Sequence, residues 1–176
     1  DPFDPEKTYR FHGLWHVNAH LTMETWKDQE HPRLTFWVGA RDLAEDETKD
    51  MFFVTLKRDG EIIGHSKRTQ GVIENRHYRR VTSDIFLPHD EKTSPNAKLL
   101  MLDEWTRDGQ YELLVTRKTD GATIRTFTFT AEDGKIKRLP QTDLAYEPKI
   151  DYIAPRVSDK GNTAYEFVEA IWLQGQ

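Results

Sequence analysis

From residue 9 the chain reads Tyr9-Arg10-Phe11-His12-Gly13-Leu14-Trp15-His16-Val17-Asn18-Ala19-His20-Leu21-Thr22-Met23-Glu24. The odd positions are almost all apolar or aromatic and the even ones polar, with only Gly13 and Leu14 out of step. A helix would scatter the odd side chains around its circumference, whereas a strand sends alternate side chains to opposite faces. The stretch therefore predicts one long strand over 9–23 with a buried face.

Working outward, short runs of β-branched and aromatic residues predict further strands at 33–40, 51–57, 61–66, 78–87, 110–118, 123–130, 135–139 and 163–173. Four of the ten glycines follow an aspartate, in Asp59-Gly60, Asp108-Gly109, Asp120-Gly121 and Asp133-Gly134. Asp-Gly tolerates the positive φ of tight hairpin turns, so neighbouring strands are expected to be antiparallel. Helical signal is thin. Residues 43–49 could form an acidic turn or two, and Pro95 interrupts 91–102. Pro140, Pro148, Pro155 and Gly161 make 140–162 a long connection over the sheet. The expectation is a single all-β antiparallel domain over 1–176.

Composition narrows the function classes. With no cysteine among 176 residues, disulfide scaffolds, Cys-zinc sites and thiol chemistry are excluded. The net charge of −5 argues against nucleic acid or an anionic membrane as partner. Apolar runs stop at three or four residues, as in Leu99-Leu100-Met101-Leu102, far below the roughly 18 of a transmembrane helix. No basic-then-apolar leader opens the chain at Asp1, which is either a processing site or a chosen boundary. The expected location is periplasmic or secreted.

Two all-β architectures fit the pattern. Between residues 50 and 135 a hairpin is followed by a strand ending at Pro88 and then by Gly109-Gln110-Tyr111 opening a late strand. This Gly-x-Tyr resembles the tyrosine-corner region of immunoglobulin-like domains, in which the phenol bonds back to an upstream backbone group. The resemblance covers about half the chain, implies an antiparallel sandwich, and lacks the cysteine pair of true immunoglobulin domains. Alternatively, Gly13-Leu14-Trp15 is similar to the Gly-x-Trp that opens many lipocalins, implying a barrel that carries an apolar small molecule.

Several residue groups are candidates for chemistry. His12, His16 and His20 recur every four residues, the spacing of a metal-binding helix face, yet four residues of strand span about 13 Å, too far for two imidazoles to share an ion. They remain the candidate metal ligands, each needing help from a neighbouring strand, with His65, His77 or His89 available. Between Lys57 and Arg80 seven bases face three acids, and Arg68, Arg76, Arg79 and Arg80 are the candidate contacts for an acidic group. The carboxylates of 45–50 lack the calcium-loop pattern. Asp103-Glu104 beside Trp105 is the one pair a glycosidase could use. Among the five tryptophans, Trp15 and Trp37 read as core, while Trp26, in polar Thr25-Trp26-Lys27-Asp28, reads as exposed and as a ligand or partner contact. Nucleophile-elbow, phosphate-loop, dinucleotide and zinc-protease motifs are absent. The chain is therefore expected to be a non-enzymatic, cofactor-free module that recognises a protein or carbohydrate partner. The lipocalin-like carrier and a periplasmic metal-binding protein are the alternatives.

Overall fold

A computed structural model describes residues 18–39, 51–73, 78–89, 96–137 and 171–175. Nine strands and one helical turn make it up: β1 Asn18–Trp26, β2 Gln29–Gly39, β3 Phe52–Arg58, β4 Glu61–Ile73, β5 Tyr78–Phe86, α1 Leu102–Trp105, β6 Gly109–Arg117, β7 Thr123–Glu132, β8 Lys135–Ile136 and β9 Ile171–Gly175. All pairings are antiparallel. The all-β expectation holds, and β1 and β2 join through a hairpin that the sequence reading did not mark.

The strands form one curled sheet in the order β6-β3-β4-β5-β2-β1-β9-β7-β8, and β6 also pairs with β7. Followed round, the pairings return to their start. Among the described residues they do not divide into two separate hydrogen-bonded sheets, so a two-sheet sandwich is not confirmed and the curl fits the barrel-like alternative in shape. The order is not that of an up-and-down barrel, because β2 pairs with β5 and β3 with β6.

Period-two burial builds the core. Val54 and Leu56 of β3 pair with Val115 and Leu113 of β6, Phe52 is buried on the same face, and Leu113 and Tyr111 lie opposite Phe127 and Phe129 of β7. Ala19 and Leu21 face Phe36 and Leu34, all with no exposed surface. Phe36 meets Phe52 edge-on at 5.8 Å and Phe127 at 6.3 Å, so aromatic rings pack together in the core.

β4 bends to serve two neighbours. Its first half pairs with β3 up to Thr55↔His65; pairing with β5 begins at His65↔Phe86 and continues, past an irregularity between Ser66 and Thr69, to Ile73↔Arg79. Where it leaves β3, side chains replace the ladder: Val54 N–H donates to Ser66 Oγ at 2.9 Å, and Thr69 Oγ1 donates to Phe52 O at 3.3 Å. Buried hydroxyls there satisfy backbone groups that the departing strand would otherwise orphan.

The β1 expectation needs one correction. Leu21 and Ala19 turn inward as predicted, yet His20, on the outward face beside Thr35 and Trp172, is also fully buried. The end of β1 that pairs with β9 is therefore not half-solvated. Residues 9–17, with His12 and His16, lie outside the described residues.

Candidate functional site

The site grows from a hairpin tip. β1 and β2 are joined by Trp26-Lys27-Asp28-Gln29, whose central residues both have positive φ, 49° at Lys27 and 62° at Asp28. This is the two-residue turn whose twist suits a hairpin, usually built from Asn-Gly. Without glycine each such residue costs about 1–2 kcal/mol, which places local strain beside Trp26. Trp26 is 54% exposed, as its polar neighbours implied, and the Lys27 ammonium stands 5.9 Å from its ring centre. A cation over an indole face helps hold the ring in place.

A gap between β2 and β5 supplies the cavity. Their pairing ends at Arg33↔Asp84. Beyond it Leu99 takes the edge of β5 instead, bridging Phe86, while Leu100 N–H donates to Ile85 O and Leu87 N–H to Lys98 O, each at 2.8 Å. The wedge of 97–101 keeps the β1–β2 tip away from β5 and leaves a cleft of about 790 Å³. Trp26, Phe86, Leu87, Leu99 and Met101 give it apolar surface, and Glu24, His31, Arg33, Asp84, Asp103 and Glu104 add polar groups.

One polar wall is a cross-bonded row. Arg33 Nε donates to Asp84 Oδ1 at 2.8 Å and a terminal nitrogen donates to Oδ2 at 3.2 Å, a two-point bond that fixes both planes. Those bonds raise the guanidinium's pKa above its ordinary value. Glu24 approaches Arg33 at 3.5 Å, and His31 Nε2 lies 3.4 Å from Asp84 Oδ1. His31 is only 4% exposed, and neither of its ring nitrogens makes a hydrogen bond, Nδ1 having no charged neighbour either. A buried imidazole nitrogen left unpaired costs about 1–3 kcal/mol, so Nδ1 is a candidate for a partner from outside the chain.

The opposite wall is set by α1. Trp105 has no exposed surface, stacks 6.0 Å from Phe129 and donates its Nε1–H to Leu100 O at 3.2 Å. Tyr111, stacked on Phe129 at 4.6 Å, places its hydroxyl 2.7 Å from Arg107 O and 2.8 Å from Glu104 O. One phenolic proton is thus shared between two carbonyls of the turn, and burial pushes its pKa up. This clamp fixes the position of Asp103 and Glu104. The Glu104 carboxylate is engaged by Arg107 and by Arg58 at 3.5 Å. The pair sits on a helical turn rather than a strand, and its tryptophan is core rather than platform.

The other sequence candidates scatter. Arg68 lies at the β4 irregularity, and Arg79 and Arg80 lie in β5 opposite Ile73 and Val72 of β4; Arg76 falls outside the described residues. Of the same basic run, Arg58 is held by Glu104 and Lys57 lies 3.9 Å from Glu112, so facing strands offset part of the excess. Among the described residues no three His, Asp or Glu side chains are grouped to hold a metal, and no helix is long and apolar enough to cross a membrane. Of the sequence candidates among the described residues, Trp26 and the Asp103-Glu104 pair line the cleft. Asp84 carries no sequence signal of a site, because only the register between β2 and β5 brings it to His31 and Arg33. Comparison of the chain with protein-family models, with curated proteins and with solved structures finds no match in any of the three.

Proposed function

We propose that the chain is a non-enzymatic binding module of immunoglobulin-like topology, working outside the cytoplasm and taking its partner, a carbohydrate or protein, in the cleft beneath Trp26. Strand order supports the topology. β1-β2-β5-β4 reproduces the A-B-E-D order of one immunoglobulin sheet and β3-β6-β7 the C-F-G order of the other. On this reading β4 stitches one seam by crossing from β3 to β5, and β9 stitches the other by joining β1 to β7, which accounts for the barrel-like closure. The Tyr111 hydroxyl, bonded four residues upstream to Arg107 O, has the tyrosine-corner geometry.

The observation that carries the function is a large indole, 54% exposed, at the lip of a concave, mostly apolar cleft with a rigid polar wall. Exposed aromatic surface of this kind is what binding sites present and what solubility alone disfavours. The test presents the immobilised protein to a glycan array and to cell-envelope proteins, alongside a Trp26→Ala variant. Binding that the substitution weakens at least tenfold supports the reading; binding unchanged by it removes the cleft as the site.

A further inference from the structure

Resting on that reading, we infer that the cleft's ligand is a neutral, polyhydroxylated chain, a glycan, with one sugar ring against Trp26 and one hydroxyl bonded to Nδ1 of His31. Charge balance excludes a strongly ionic ligand. The lining carries Glu24, Asp84, Asp103 and Glu104 against Lys27, Arg33 and Lys98, close to cancellation before any bound group is added. Asp84 is spent on Arg33 by two bonds and Glu104 on Arg58 and Arg107, so neither sign is free in excess. What such a wall does offer is fixed lone pairs and N–H groups side by side. A hydroxyl both donates and accepts, and so satisfies either without bringing charge.

Shape points the same way. A stable protein–protein contact covers about 800 Å² on each partner and is broad, whereas a concave cleft of about 790 Å³ is of small-ligand size. An indole at the lip supplies the flat apolar face that the C–H side of a pyranose requires, and the cross-bonded row supplies planar polar groups at the ring's edge.

His31 adds the independent observation. Its ring lines the cleft, is buried, and leaves Nδ1 unpaired. Neither ring nitrogen has a hydrogen-bond partner, Nε2 standing 3.4 Å from Asp84 Oδ1, and a ligand hydroxyl, which both donates and accepts, suits Nδ1 in either tautomer. A ligand hydroxyl is the simplest group that fills it. A peptide could offer an N–H in its place, but burying a peptide there would also strand backbone carbonyls against Glu24 and Asp84.

The experiment is isothermal titration of the whole chain with cellohexaose, xylohexaose, mannohexaose and chitohexaose, with polygalacturonate as the acidic comparator. The variants are Trp26→Ala, His31→Phe and His31→Asn, each checked by circular dichroism. Asn places an acceptor where Nδ1 stands; Phe removes it while keeping the ring. At least one neutral hexasaccharide is expected to bind, with affinity falling by tenfold or more in Trp26→Ala and roughly tenfold in His31→Phe, and recovering in His31→Asn. If no neutral hexasaccharide binds, while polygalacturonate or an envelope protein binds in a Trp26-dependent way, the inference is overturned and the module reading stands. If a hexasaccharide binds equally well to all variants, both fall.

Discussion

Tyr111→Phe isolates one hydroxyl on which the far wall of the cleft depends. The phenyl ring keeps its stacking on Phe129 at 4.6 Å, so core packing is unchanged. What is lost is the proton shared between Arg107 O at 2.7 Å and Glu104 O at 2.8 Å. A net hydrogen bond contributes about 0.5–1.5 kcal/mol, and a carbonyl left partly desolvated adds about 1 more, so the loss should be about 1–2.5 kcal/mol. With a urea m-value of about 2 kcal/mol/M, the midpoint falls by roughly 0.5–1.2 M at unchanged slope. Urea unfolding followed by tryptophan fluorescence reads this directly. Amide exchange at Thr106, whose N–H donates to Leu102 O at 3.1 Å, should accelerate in the same variant, because α1 loses its tether. A midpoint within 0.1 M of wild type, with exchange at Thr106 unaltered, would refute the view that this bond fixes the turn.

Three more outcomes are expected. The double variant Lys27→Asn/Asp28→Gly should raise stability by about 1–2 kcal/mol in chemical denaturation, because it relieves two left-handed non-glycine residues at φ 49° and 62°; no gain would show that the tip is unstrained. Gly64→Ala should cost about 1–3 kcal/mol, since a Cβ there would meet Phe86 O at 2.7 Å and Ile85 Cγ2 at 2.8 Å, neither free to move, and an equal midpoint would contradict that close approach. Asp120, bonded by Arg117, should titrate at about 2 by NMR and return toward the ordinary carboxylate range in Arg117→Ala. Its pKa is lowered in the folded state, so its contribution is present above the unfolded value, near 4, and disappears as pH falls toward 2. A titration near 4 in the parent protein would remove the pair.

What the sequence exposes and what it hides divide along physical lines. Period-two runs mark β3, β5, β6 and β7 to within a residue or two, because a half-buried strand writes its burial into alternation. Asp59-Gly60 and Asp133-Gly134 mark their hairpins because glycine takes positive φ without strain. The Lys27-Asp28 turn carries no such residue and is hidden, so β1 was expected to stop at Met23 rather than run to Trp26 and turn. Tyr111 is legible because the carbonyls its hydroxyl bonds, those of Arg107 and Glu104, lie close to it in sequence. The cleft is not local. The β1–β2 hairpin that carries Glu24 and Arg33 lies far in sequence from Asp84 and Met101, and they meet only through the register Arg33↔Asp84 and the bridge Phe86↔Leu99. The burial of His20 is hidden as well, because alternation along its own strand places it on the polar face and says nothing of what packs over that face.

Binding in the cleft requires the partner to settle against the indole at the hairpin tip. Hydroxyl-radical footprinting, read by mass spectrometry with and without a saturating neutral hexasaccharide, compares the tryptophans in one sample. Trp26 should label strongly when free and lose most of its labelling when the sugar is bound, while Trp105, sealed in the core, labels in neither state. Protection confined to other residues, with Trp26 labelled equally in both samples, would contradict it.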